Sequence, residues 1–148
     1  MEINQSKIEA LVREVLSEVM DEQDTFKTSA MHGVKKIALP SLQTRPQDRL
    51  DTGKEKDIVY TRDLFTLEES PRLGCGLMEM EHTSFDWHLT YDEIDYVIEG
   101  RLTIIIDGKK ITAGPGEIIL IPKDSKIQFS VPEKARFMYV TYPADWAG

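Results

Sequence analysis

The order of hydrophobic and polar residues changes near the start of the 148-residue chain. In the first twenty residues the aliphatic side chains recur every three or four positions, which places them on one side of an α-helix. This stripe consists of Ile8, Leu11, Val12, Val15, Leu16 and Val19. Ser6 and Glu9 have the spacing of a capping box, which stabilises the start of a helix. The pattern therefore predicts an amphipathic helix within residues 1–20.

From residue 34 onward, short hydrophobic runs alternate with turns. Asp107-Gly108 separates the runs TIII and KKIT, and this dipeptide supplies the positive φ angles of a type I′ hairpin turn. The stretches AGPGE and IPKDS indicate further turns because they contain Pro and Gly. Many short strands at close, even spacing are typical of an all-β sandwich or barrel. We therefore predict a β domain over residues 34–148.

Residues 21–33 are polar and aperiodic, and we expect them to form a linker. An isolated helix of the predicted length is marginal in water, so the N-terminal helix needs something to pack on. It either packs on its own domain or docks on a partner protein, and the pattern is compatible with both.

Composition and charge narrow the classes of partner. The chain has 26 acidic and 18 basic residues, and its net charge of −8 argues against nucleic acid or anionic membrane as the main partner. No apolar run approaches the roughly 20 residues that cross a bilayer, and the N-terminus lacks the regions of a signal peptide. A single cysteine, Cys75, cannot form an internal disulfide or a paired-cysteine metal site. We expect a cytoplasmic protein.

The stretch FDWHLTYDEIDYVIEG, residues 85–100, carries five carboxylates in a region predicted to be strand. Successive strand residues point to opposite sides, so Glu93 and Asp95 share one face. If that face is buried, the two acids are unfavourable unless they bind a cation, pair with a base or share a proton. A structural ion pair of Asp95 with an arginine is one alternative. The candidates for it are Arg62, Arg72 and Arg136.

The run YVIEGRLTIII, followed by GPGEIILIP, resembles the cupin superfamily over roughly residues 73–142. Glu93 and Gly100 match the end of the first cupin motif, and Gly116 and Pro122 match the first half of the second. This resemblance implies an all-β fold, a cupin-type jelly-roll β-barrel that follows the short N-terminal helix. It also implies that Glu93 faces the inside of the barrel.

The metal-ligand positions of cupins correspond here to Asp86, His88, Glu93 and Ile127. Only His88 and Glu93 are residues that the superfamily uses there; Asp86 offers an oxygen ligand, and Ile127 offers none. Transition-metal sites normally need three protein ligands, with imidazole favoured. We therefore expect no tightly bound transition metal of the conventional cupin type. The acids that remain shift the preference toward Mg²⁺, which takes oxygen ligands.

The run WHLTYDEID and the ending FMYVTYPADW are similar to the EutQ-like ethanolamine-utilisation proteins, degenerate cupins of bacterial microcompartments. This resemblance implies acetate kinase activity, the interconversion of ATP plus acetate and ADP plus acetyl phosphate, with ATP and Mg²⁺ bound. The candidate catalytic residues are Glu93, Asp95 and Tyr91. The candidate substrate-binding residues are His88, Tyr96 and Arg136. The N-terminal stripe resembles the helices that target cargo to microcompartment shells, and a jelly roll of this kind is typical of homodimers.

A different class of function stays open. The chain lacks the GxxxxGK[ST] loop that cradles phosphates, so the residues do not indicate how a nucleotide would bind. The alternative is a non-catalytic cupin, a scaffold or small-molecule-binding module that the N-terminal helix recruits to a microcompartment shell.

Overall fold

A computed structural model of the chain describes residues 7–9 and 27–148. Residues 7–9 are helical, as predicted for that point, and the rest of the predicted helix over residues 1–20 lies outside the described residues. The chain divides into two compact units, Met1–Leu42 and Gln43–Gly148. None of the described helices is both long enough and apolar enough to span a membrane.

The first unit contains a short antiparallel hairpin. Strand β1 (Lys27–Ser29) pairs with β2 (Lys35–Ile37), and one-turn 3₁₀ helices cover Met31–Gly33 and Leu39–Ser41. Part of the predicted linker 21–33 is therefore a strand, because β2 finds its hydrogen-bond partner across a five-residue turn. The compact β unit begins at Gln43, whereas the sequence pattern placed its start at residue 34.

The second unit is all β, as predicted. After a 3₁₀ turn at Pro46–Asp48, its strands are β3 (Ile58–Asp63), β4 (Gly74–His88), β5 (Asp92–Gly100), β6 (Leu102–Ile106), β7 (Lys109–Ala113), β8 (Ile118–Ile121) and β9 (Lys126–Tyr142). The turn between β6 and β7 has positive φ angles at Asp107 (49°) and Gly108 (75°), which confirms the predicted hairpin.

The two longest strands, β4 and β9, organise the fold. They pair antiparallel along almost their whole length, and the sheet order is β3-β4-β9-β5-β8, with β6 pairing to β7 and to the first part of β9. A register shift between Glu81 and Thr83 divides β4 into two halves, and the His82 imidazole lies 2.8 Å from the Pro132 carbonyl oxygen at this corner. Because such irregularities bend strands, β4 and β9 pass from one layer of a jelly roll into the other. Hydrogen bonds among the described strands do not close the sheet into a ring.

The core lies between the two layers. Phe85 and Phe129 from one layer stack at 5.3 Å between ring centroids, and Phe129 also stacks on Phe137 from the other layer at 6.5 Å. All three are at most 3% exposed. Burying each such side chain contributes about 1.5–3 kcal/mol to folding. The inward face of β5 is part of this apolar interior, and the residues on that face form the candidate site.

Candidate functional site

Strand β5 places two carboxyl groups inside the protein. Its residues alternate between a buried and an exposed face, as expected for successive strand side chains. Glu93 is 5% exposed and Asp95 is fully buried. Tyr91, immediately before the strand, and Val97 continue the same inward series. The structure thus confirms the prediction that the two acids share an inward face.

Strand β9 supplies the side chains that lie beside the two acids. Thr141 is opposite Glu93, and Tyr139 is opposite Asp95, in the antiparallel register. On the other side of β9, Gly76 lies opposite Tyr139. A Cβ at Gly76 would overlap the Tyr139 ring, so this glycine leaves the space that the ring occupies above the sheet.

The acid pair lacks hydrogen-bond donors. Glu93 Oε2 and both carboxyl oxygens of Asp95 are buried and have no hydrogen-bond partner among the described residues, and neither has the Thr141 hydroxyl. Burial raises the pKa of Glu93 to about 7. Burial, and then the charge of Glu93, raise the pKa of Asp95 well above its usual range. Neighbouring carboxyls in an apolar surrounding favour a shared proton over two charges, so the pair holds at least one proton at neutral pH.

The alternative of an ion pair between Asp95 and an arginine is not realised among the described residues. Arg136 donates through Nη1 to Glu79 Oε1 at 3.1 Å, because it alternates with the buried residues of β9 and faces away from the acids. Arg62 donates to a backbone carbonyl oxygen at 2.8 Å, and Arg72 is exposed. The buried acids are therefore not explained as half of a structural salt bridge.

An aromatic cavity lies next to Glu93. It encloses about 20 Å³, which is room for roughly one water molecule. The aromatic residues of its lining are Phe85, Trp87, Tyr91, Phe129, Tyr139 and Trp146. Asp95 lies behind Glu93 as seen from the cavity, since only Glu93 of the two borders it.

Hydrogen bonds hold the aromatic walls in place. Trp87 Nε1 donates to the Tyr91 hydroxyl at 2.7 Å. Asp63 Oδ1 accepts from the Tyr139 hydroxyl at 2.6 Å and from Trp146 Nε1 at 2.9 Å. Burial, and then the charge of Asp63, raise the pKa of Tyr139, so its hydroxyl stays a donor. The walls are consequently fixed by polar contacts at their rims as well as by ring packing.

The four positions that correspond to cupin metal ligands do not converge. Asp86 and His88 lie on the exposed face of β4, whereas their neighbours Phe85 and Trp87 face the cavity. The spacing of the cupin motif grouped Asp86 and His88 with Glu93. The alternation of side chains along β4 instead places Asp86 and His88 on the side of the strand away from the cavity. Within residues 7–9 and 27–148, no three His, Cys, Asp or Glu side chains are grouped closely enough to hold a metal ion.

The other predicted site residues also fall into two groups, those at the cavity and those on outer faces of the strands. Tyr91 and Glu93 border the cavity, and Asp95 lies directly behind them. Tyr96 is 38% exposed on the outer face of β5, and Arg136 is bound to Glu79. The structure therefore brings the three candidate catalytic residues together but not the candidate substrate-binding residues.

Four residues of the site were not predicted from sequence. Trp87 and Trp146 both line the cavity, but a tryptophan in a sequence indicates packing as readily as a site, so neither gave a signal. Tyr139 could have been found, because it continues a series of inward positions at every second residue of β9. Asp63 gave no signal, since its partner Tyr139 is 76 positions away along the chain.

The fold and the cavity together define a jelly-roll protein of the cupin type. A cupin superfamily protein of Desulfitobacterium hafniense shares this fold, with a TM-score of 0.52 at 18% identity over 68% of this chain and 96% of that one. The family model described as "Ethanolamine utilisation protein EutQ" matches residues 3–148. The chain belongs to the EutQ family and is an ethanolamine-utilisation cupin.

Relatives within the family differ in length. The chain is 59% identical to "Acetate kinase EutQ" of Clostridioides difficile (strain 630), over 98% of this chain and 95% of the relative. It is 34% identical to "Acetate kinase EutQ" of Salmonella typhimurium, over 93% of this chain but only 63% of the relative. The solved structure of the Clostridium difficile EutQ protein has a TM-score of 0.80 at 65% identity, covering 82% of this chain and 88% of that one.

Proposed function

We propose that the chain is an acetate kinase that transfers a phosphoryl group between ATP and acetate. One observation carries the proposal: a chain 59% identical to a protein named acetate kinase has two buried carboxyl groups with oxygens free to bind a ligand. Phosphoryl transfer depends on positioning and on neutralising the phosphate charge, usually with Mg²⁺. Carboxylate oxygens are ligands of the kind that Mg²⁺ accepts alongside substrate phosphates.

The catalytic roles follow from the positions of three residues. Glu93 and Asp95 would supply oxygen ligands to the Mg²⁺ that enters with ATP, after losing the proton that they share. Tyr91, whose hydroxyl accepts a hydrogen bond from Trp87, would orient the acetate carboxylate at the same wall. These assignments give the costly burial of two acids a chemical reason.

The nucleotide itself is too large for a cavity of about 20 Å³. A second, open groove of about 590 Å³ shares Trp87 with the cavity and is bordered by His88 and Lys126. Its size is within the usual range for ligand sites. We place ATP in this groove, where Lys126 and His88 would meet its phosphates beside Trp87, the residue at which the groove adjoins the cavity.

The test is acetyl phosphate formation by the purified chain with ATP, Mg²⁺ and acetate. Glu93→Gln should lower the rate by roughly 10²-fold or more, while Glu99→Gln, an exposed carboxylate on the same strand, should not. Equal activity in the wild type and Glu93→Gln would remove the acid pair from the reaction and point to a contaminating kinase or another site.

A non-catalytic cupin is the second candidate, and the small volume of the cavity, about 20 Å³, favours it. In that case neither variant nor wild type forms acetyl phosphate, although all three are folded. We also propose that the protein acts in the cytoplasm as a homodimer and that residues 1–20 dock it on a microcompartment shell. A reporter fused to residues 1–33 that stays diffuse in cells with shells would end the docking proposal.

A further inference from the structure

Three of the four unpartnered buried atoms at this site are carboxyl oxygens, and the fourth is the Thr141 hydroxyl. Glu93 Oε2 and the two oxygens of Asp95 receive no hydrogen bond from a third residue among those described, and the proton that the pair holds satisfies only part of their acceptor capacity. Buried polar atoms in proteins almost always have partners. Whatever completes this site must therefore bring donors, and Glu93 is the residue through which they are reached, because it is 5% exposed and borders the cavity.

The walls of the cavity select for positive charge. Trp146 lies with its ring centroid 6.2 Å from that of Trp87, 6.4 Å from that of Tyr91 and 6.0 Å from that of Tyr139, at interplanar angles of 58° to 75°. These inclined rings pack on one another, and the small cavity of about 20 Å³ lies among them. A cation inside would lie within the roughly 6 Å at which aromatic faces attract it.

We propose that this cavity binds a small primary ammonium ion, R–NH₃⁺, with the ammonium group on Glu93 and the aromatic rings around it. An ammonium group has three N–H donors and no acceptor, the complement of the unpartnered carboxyl oxygens. The aromatic rings interact with its charge, and the acid pair neutralises it.

Other ligands match the cavity less well. Without the phosphate oxygens of a nucleotide, Mg²⁺ would lack most of its near-octahedral oxygen coordination here, because the cavity is mostly aromatic and aliphatic. Without Mg²⁺ to offset the charge, a carboxylate such as acetate would place a third acid beside Glu93 and Asp95, which like charges disfavour. One water molecule fits the volume but brings only two donors and makes no use of the rings.

The volume of the cavity limits how much of the R–NH₃⁺ ion can enter it. A cavity of about 20 Å³ accepts the ammonium head alone, so the R group must leave between Trp146 and its neighbours. Methylammonium and ethanolammonium meet this condition, and a trimethylated head does not.

The inference does not rest on the proposed kinase activity. The two proposals share Glu93 but concern different ligands, and a binding experiment without nucleotide tests this one alone. If the chain does not form acetyl phosphate, the ammonium-binding proposal is unaffected.

The experiment is a titration of the full chain with methylammonium chloride and ethanolammonium chloride at pH 8, read by tryptophan fluorescence and by calorimetry. Sodium chloride at equal ionic strength and ethane-1,2-diol, a neutral analogue of ethanolammonium, are the ligand controls. We expect saturable binding of the two ammonium ions, and none of sodium, of the diol or of tetramethylammonium.

Two variants locate the site. Glu93→Gln should weaken ammonium binding by roughly 10- to 100-fold, because it replaces a charged carboxylate acceptor by a neutral amide, and Glu99→Gln should leave it unchanged. Equal binding of the diol and ethanolammonium, or equal ammonium binding by wild type and Glu93→Gln, would overturn the proposal. If Glu93→Gln does not fold, the comparison of ethanolammonium with the diol on the wild type still decides the matter.

Discussion

At the scale of single residues, the acid pair makes folding dependent on pH. Burial is the main cause that raises the pKa of Glu93 to about 7 and the pKa of Asp95 well above its usual range. The folded chain therefore binds protons more tightly than the unfolded chain, whose carboxyls titrate near pH 4. Stability is then highest at the acidic end and falls as the pH rises from about 4 through 7.

We predict that the free energy of unfolding decreases from pH 5 to pH 8 by on the order of 1–3 kcal/mol. The facing groups Tyr91 and Tyr139 do not titrate in this range, since burial raises the pKa of both. Urea unfolding at several pH values measures the change. Glu93→Gln should reduce the dependence, because only the contribution of Asp95 remains, and Glu99→Gln should retain it. A wild-type stability that rises over this range would contradict the assigned direction.

The direction of a side chain was predictable from sequence where alternation within a single strand determines it. The inward positions of Glu93 and Asp95 followed from alternation within β5 once one of them was known to face inward. Asp86 and His88 were misplaced because motif spacing was carried across the turn between β4 and β5. A shift of one residue there reverses the face of every side chain on β4.

At the scale of structural elements, the C-terminal segment after β9 covers the cavity. Trp146 is the residue of this segment that borders the cavity, and its indole is held by Asp63 through one hydrogen bond at 2.9 Å. Displacing this cover breaks one such hydrogen bond, worth about 0.5–3 kcal/mol, and the contacts of the Trp146 ring with the neighbouring aromatic rings. Substrates or ligands larger than one water molecule would reach Glu93 by this route.

The chain has two tryptophans, so removing Trp146 leaves Trp87 as the single indole reporter. We predict that acrylamide quenches Trp87 fluorescence at least about twofold more strongly in Trp146→Ala than in Trp146→Phe, because the alanine uncovers the cavity wall that the phenylalanine still covers. Stern–Volmer titrations of the two variants provide the measurement. Equal quenching would mean that Trp146 does not shield the cavity.

The β strands of the second unit were predictable from sequence, but their assembly was not. Hydrophobic alternation and turn residues located the hairpin at Asp107-Gly108. Nothing in the pattern indicated that β4 and β9 are 15 and 17 residues long and bend from one layer into the other. The bend depends on a register shift near His82 and on its contact with Pro132, 50 positions away, which local periodicity does not report.

At the scale of the whole molecule, one outer face of the sheet is apolar. Strand β8 is at the edge of the sheet, and its Ile118 and Leu120 are 64% and 65% exposed. They lie opposite Tyr96 and Ile94 of β5, which are also exposed. Contiguous apolar patches of this kind mark protein interaction sites more often than isolated apolar residues do. We assign the proposed homodimer interface to this face, where a two-fold axis would pack the patch on its own copy.

The assignment predicts that Leu120→Lys shifts the protein from dimer to monomer, because two lysines would meet across the axis in an apolar contact and lose their hydration. Ile111→Lys is the matched control, since Ile111 is 57% exposed but lies on β7, away from β5 and β8. Light scattering coupled to size-exclusion chromatography gives the mass of each at equal concentration. A dimer that survives Leu120→Lys but dissociates in Ile111→Lys would move the interface to the β6–β7 hairpin. A monomeric wild type would remove the homodimer proposal itself, leaving the apolar face for a different partner.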